Sequence, residues 1–268
     1  MAAKSTSNIR VGIGGWTYEP WRGTFYPGGL PQKRELEYAS AKLTSIEING
    51  TYYGSQKPET FAKWRGETPE GFVFAVKGPR FATNRKVLGD AGDSIDRFVN
   101  GGLGELGEKL GPINWQFMAT KKFDPDDFEA FLRLLPPKLN ARPLRHAVEV
   151  RHPSFRDPAF VALARKYGVA VVIAGDCDYP QIADPTASFA YLRLMGTKEG
   201  EPLGYPAKTL DQWVEKARAL VAGERPEGLD CVEQAEPDKT AREVFVYVIA
   251  GHKVVNPAAA MKFIEKLG

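Results

Sequence analysis

Eight short apolar runs rich in Val, Ile and Phe recur along this 268-residue chain, their starts about 34 residues apart on average. They are Arg10 to Gly14, Ser45 to Asn49, Phe72 to Lys77, Ile113 to Met118, His146 to Arg151, Ala170 to Ala174, Phe189 to Met195 and Phe245 to Ala250. Between most of them lie stretches with apolar residues three and four apart, the spacing of a helix face: Pro31 to Leu43, Pro58 to Arg65, Ile95 to Leu106, Pro125 to Leu135, Asp157 to Tyr167, Leu210 to Val221 and Pro257 to Leu267. Several begin with proline, which suits the first turn of a helix. From Gly175 to Ser188 there is room for only a turn or so, and Pro180 and Pro185 interrupt it, so a degenerate sixth helix is expected. Strands alternating with helices require right-handed parallel crossovers, and eight such units favour closure into a single (β/α)8 TIM-type barrel, an α/β fold. A doubly wound open sheet is the structural alternative.

Only Gly223 to Glu243, rich in Pro, Gly and acids, resembles a boundary, and a split there strands the last strand and its helix. One domain over residues 1–268 is therefore expected, with residues 1–8 as a disordered N-terminal tail. No apolar run approaches the ~18 residues that cross a bilayer, and the first residues lack the apolar segment of a secretion signal. Cys177 and Cys231 make neither a disulfide framework nor a paired metal motif, which fits a reducing, cytoplasmic setting without a membrane partner. Lys and Arg number 36 against 33 Asp and Glu, a balance that argues against a dedicated nucleic-acid binder and makes any basic surface local.

The working face of such a barrel lies at the carboxyl ends of its strands, and the polar residues there form the candidate site. The first run leads into Trp16 and Tyr18, the second ends in Glu47 and Asn49 with Tyr52 behind, and the third ends in Lys77 with Arg80 beyond. The fourth contains Gln116, the fifth ends in Glu149, Arg151 and His152, and Asp176 follows the sixth. Arg193 lies in the seventh, and His252 follows the eighth. Glu47 and Asn49, like Glu149 and Arg151, are two apart and face the same way, so both pairs are candidates for one central cluster. Glu47, Glu149 and Asp176 are the candidate catalytic carboxylates, and the others are candidate ligand contacts.

A functional cluster is weighed against structural ion pairs, because burial of an unpaired charge is costly and mutual pairing is expected either way. The aromatic residues read as a stacking wall for a sugar or base, or as a packed lid. Glu149, Asp176, His152 and His252 could ligate a metal, but no motif sets their geometry, so neither a metal nor another cofactor is expected. Cys177 reads as packing more than as a nucleophile.

Several of these residues fall into ordered motifs: Gly14-Gly15-Trp16-x-Tyr18, Trp21-x-Gly23-x-Phe25-Tyr26-Pro27, Glu47-x-Asn49-x-Thr51-Tyr52-Tyr53, Phe72-x-Phe74-x-x-Lys77 and Glu149-x-Arg151-His152. In this order they resemble the YecE-like family, domain of unknown function 72, and Leu110-Gly111-Pro112, Tyr191-x-Arg193 and Asp176 agree with it. The resemblance covers nearly the whole chain. It implies a TIM-type barrel distantly similar to sugar isomerases and an apurinic endonuclease group, and no established activity. Two departures stand out. Met195 occupies the place of the family's usual histidine before Gly196, and Ile249-Ala250-Gly251-His252 replaces its usual Phe-Asn-Asn, which weakens any analogy with metal-dependent barrels.

The leading functional expectation is an enzyme or binder for a small anionic ligand, phosphorylated or sugar-like, held by Lys77, Arg80, Arg151 and Arg193 while Glu47 or Glu149 moves a proton. An enzyme would be sugar isomerase-like or directed at phosphate esters. The alternative is a nucleic-acid-binding or processing protein using the same cations on phosphates and Trp16, Tyr18 and Tyr52 on bases. A ligand sensor without catalysis is the third.

Overall fold

The computed structural model describes residues 8–233 and 239–268. The apolar runs become eight parallel strands: β1 (Ile9–Gly14), β2 (Ser45–Ile48), β3 (Val73–Lys77), β4 (Leu110–Gln116), β5 (His146–Glu149), β6 (Ala170–Gly175), β7 (Phe189–Leu194) and β8 (Glu243–Val248). Each pairs with its sequence neighbour, and β1 pairs with β8, so the sheet closes into a barrel and the open-sheet alternative falls away. Seven longer helices wrap it: α1 (Glu35–Lys42), α2 (Pro58–Gly66), α3 (Gly92–Asn100), α4 (Pro125–Leu134), α5 (Pro158–Lys166), α6 (Ala207–Val221) and α7 (Asn256–Leu267). No helix spans 176–188, as the two prolines there predict. Among the described residues no helix is long and apolar enough to cross a membrane.

Local chemistry starts several of these helices. Asp124 caps α4 by accepting from the backbone N–H groups of Asp126 and Asp127, each at 3.1 Å, and Asp157 caps α5 through Ala159 at 2.8 Å. In both, proline takes the first position, where a missing N–H costs nothing.

Several expected boundaries move. The helix read over Ile95 to Leu106 stops at Asn100, because Gly102 adopts a φ of 115° and the chain re-enters as a short 3-10 segment, Leu103–Lys109. The fourth strand begins at Leu110 rather than Ile113. Leu110 pairs with Phe74 and Ile113 with Val76, a register shift that accommodates Pro112, which has no N–H to give the ladder. Of the tail expected over residues 1–8, residues 1–7 lie outside the described residues, and the Asn8 carbonyl accepts from Val244 N–H.

Apolar residues divide into two layers. The larger cluster fills the space between sheet and helices. A smaller one, including Val73, Ala75, Ala147, Val172, Tyr191, Phe245 and Tyr247, draws on the strands for all its buried members and fills the barrel interior. Where β1 meets β2 the backbones are so close that a Cβ on Gly12 would stand 1.9 Å from the Ser45 carbonyl oxygen. At the amino end of β5, His146 is buried against Trp115, whose Nε1 donates to His146 Nδ1 at 3.1 Å, while Nε2 lies 2.8 Å from the Pro136 carbonyl. That arrangement holds the ring neutral, and burial lowers its pKa to about 4.

Candidate functional site: a buried cationic cluster in the barrel mouth

Alternation along the strands sends one polar layer inward at the carboxyl end. Arg193 on β7 donates through Nη2 to Glu47 Oε1 at 3.1 Å and through Nη1 to Glu149 Oε2 at 2.5 Å. Asn114 on β4 lies between the two carboxylates, 3.3 Å from each, and the Tyr191 hydroxyl donates to Glu47 at 2.5 Å. Glu47, Glu149 and Arg193 are all buried.

A second tier lies over this core. Arg151 donates from Nε and Nη2 to Glu149 Oε1, at 2.8 and 2.6 Å, and Lys77 Nζ donates to Gln116 Oε1 at 2.6 Å. Each cation stacks on a tyrosine: Lys77 Nζ is 4.4 Å from the Tyr52 ring centre, and the Arg151 guanidinium is 4.4 Å from that of Tyr179. The Lys77 carbonyl is held by the Thr51 hydroxyl at 2.7 Å, which anchors the strand end.

The charges do not cancel. Lys77, Arg151 and Arg193 face Glu47 and Glu149, three cations against two carboxylates. Burial pushes the Glu149 carboxyl up, but the Arg193, Arg151 and Lys77 charges outweigh it and bring it down to about 2. Burial lowers Arg193, and Glu149 with Glu47 more than reverses this, so its pKa is raised. For Lys77, burial and the neighbouring Arg193 prevail over the two carboxylates, and its ammonium falls to about 8. The buried Nε of Arg193 and Oδ1 of Asn114 find no hydrogen-bond partner among the described residues.

Glu47, Lys77, Gln116, Glu149, Arg151 and Arg193 thus come together as expected, with Tyr52 beneath the lysine. The other candidates go elsewhere. Asp176, expected in the same cavity, adopts a φ of 56° and accepts from Trp213 Nε1 of α6 at 2.7 Å. Trp16 meets Trp64 of α2 edge-on, with ring centres 5.0 Å apart, in a groove also lined by Lys33 and Lys63. Tyr18 packs on Trp21 and lies under Lys253 Nζ, 4.1 Å away. The His152 ring accepts from Ser154 N–H at the start of a 3-10 turn, and His252 is tied through its backbone N–H to the Thr197 carbonyl. Asn49 is half-buried beside Gly14, and Arg80 is exposed between the Tyr53 and Phe81 rings. Among the described residues no three His, Cys, Asp or Glu side chains gather as a metal ion requires. Asn114 and Tyr179 are additions. Asn114 is two residues before Gln116 on one strand face, a signal available in the sequence, whereas Tyr179 sits in an irregular connection that carries none.

Fold and cluster together define an α/β barrel protein with a cationic, tyrosine-flanked mouth at the carboxyl ends of its strands. The sequence profile described as "Protein of unknown function DUF72" matches residues 10–268, and the chain belongs to that family. Among curated relatives, UPF0759 protein YecE of Escherichia coli is 29% identical over 150 residues, 55% of this chain and 50% of that protein. The chain spans about half the length of that relative. A DUF72 family protein from Thermotoga maritima superimposes with a TM-score of 0.72 at 22% identity, covering 97% of this chain and 98% of the other. One from Enterococcus faecalis gives 0.68 at 16%, covering 97% and 94%. These likenesses establish the fold.

Proposed function

We propose that the barrel mouth binds a small anionic ligand, phosphorylated or carboxylated and sugar-like, and that Lys77 and Arg151 are its principal contacts. The observation that carries this reading is the uncancelled positive charge of the cluster, with Lys77 and Arg193 buried and Arg151 half-buried. An excess charge out of water is costly, and a bound anion removes the cost. Tyr52 and Tyr179, each stacked on one of the cations, supply the flat walls a sugar ring packs against. If the ligand is a substrate, Glu149 is too acidic to carry protons near neutral pH. Crystals grown with phosphate test the placement: density within hydrogen-bonding distance of Lys77 Nζ and the Arg151 guanidinium supports it, and phosphate bound only elsewhere contradicts it.

The second reading is a nucleic-acid strand, favoured by a different feature. Tyr53 and Phe81 are 66% and 59% exposed and flank Arg80, a rim that could stack bases and pair with a phosphate. Affinity for a single-stranded oligonucleotide that falls steeply with salt and is lost in Tyr53→Ala would promote it.

A further inference from the structure

Lys77 is built differently from the other cations of the mouth. Its amine is the terminal group of a strand-end side chain that is buried and carries no direct carboxylate partner among the hydrogen bonds and ion pairs of the described residues. Instead Nζ donates to the neutral Gln116 amide at 2.6 Å and rests on the Tyr52 ring. The carboxylates are occupied by guanidinium groups: Glu149 by Arg151 and Arg193, and Glu47 by Arg193. A lysine meant only to hold an anion gains by remaining charged, and a carboxylate contact would keep it so. Here the surroundings withhold that contact and set a second cation nearby.

We propose that Lys77 is an amine nucleophile that forms an imine with the carbonyl carbon of a small anionic aldehyde or ketone, whose anionic group is held by Arg151. This rests on the anion reading of the mouth and gives it a substrate class. The neutral amine adds to the carbonyl to form a carbinolamine. The carbonyl oxygen then leaves as water with the two amine hydrogens, so the carbon–nitrogen double bond replaces the carbon–oxygen one and no redox partner is needed. Charged groups facing the amine are Arg193 and Arg151, which favour its neutral form, and Glu47 and Glu149, which oppose it. With its pKa lowered to about 8, about a tenth of Lys77 is neutral at pH 7, far more than of a solvent-exposed lysine near 10.4.

The test is reductive trapping. The whole protein is incubated at pH 7 with cyanoborohydride and either pyruvate, whose anion is a carboxylate, or dihydroxyacetone phosphate, whose anion is a phosphate, and adducts are located by peptide mapping. Modification of Lys77 at least about tenfold faster than of exposed Lys63 or Lys166, with a rate rising through pH 8, supports the proposal, and the faster compound identifies the anionic group. No Lys77 adduct with either compound, or modification no faster than at exposed lysines, overturns it. In Lys77→Arg the privileged adduct must disappear without transfer to another lysine. Calorimetry with inorganic phosphate on the same preparation separates the two claims: phosphate binding without a Lys77 adduct sinks the imine and spares the anion site.

Discussion

Arg193 and Glu47 lie 146 residues apart in the chain and meet 3.1 Å apart inside the barrel, with side chains 4% and 0% exposed. Because the same guanidinium also reaches Glu149, one side chain joins β2, β5 and β7 across the interior. Burying these charges is tolerable only while they satisfy one another.

Arg193→Leu should accordingly lose about 3–5 kcal/mol of stability, since two buried carboxylates are left short of a partner. Urea denaturation measures the loss. Adding Glu47→Gln and Glu149→Gln should recover much of it, and an equally unstable triple variant would show that packing, not charge, is at stake.

The close approach of β1 to β2 makes Gly12→Ala a test of barrel closure. The new Cβ meets backbone, which cannot swing aside, so a cost on the order of 3 kcal/mol is expected. A variant with an unchanged unfolding midpoint would contradict the β1–β2 register.

His146 sets the acid limit of stability. Its folded pKa is about 4 against 6.5 for a free imidazole, so the unfolded chain takes up the proton first as pH falls. The His146 contribution is fully retained above pH 6.5 and declines as pH drops toward 4, by on the order of 3 kcal/mol. Glu149, lowered from 4.5 to about 2, adds a further loss below pH 4.5. An NMR titration should place the His146 inflection near 4, and an inflection near 6.5 would remove the upper part of this profile.

Much of the barrel was legible because its strands are runs of Val, Ile and Phe and several of its helices begin at Pro. The start of β4 was not, since Leu110-Gly111-Pro112 has the composition of a turn and is held in the sheet by a bulge that only the neighbouring strand defines. Within the site, residues on the strands were readable because period two fixes their side: Glu47, Gln116, Glu149 and Arg193 converge as that rule requires. Past the strand ends the rule weakens: Arg151 still joins the cluster through Glu149, but others do not. Asp176 and Trp16 follow their strands as closely as Lys77 ends its own, yet partners on the outer helices, Trp213 and Trp64, draw them away. No local pattern encodes that choice.

Arg80 distinguishes the rim from the cluster. It is exposed, so Arg80→Ala should leave stability within about 0.5 kcal/mol of the parent while weakening anion binding modestly. A large loss of stability would place Arg80 in the structural network instead.

The anion site itself is tested most directly by calorimetric titration of inorganic phosphate into the parent protein and into Arg151→Gln. Arg193 remains on Glu149 in that variant, so the fold should survive. The parent should bind phosphate with millimolar affinity, on the order of 4 kcal/mol, and the variant at least about tenfold more weakly. Equal heats in the two proteins, or none in either, would mean that the cluster serves the fold alone.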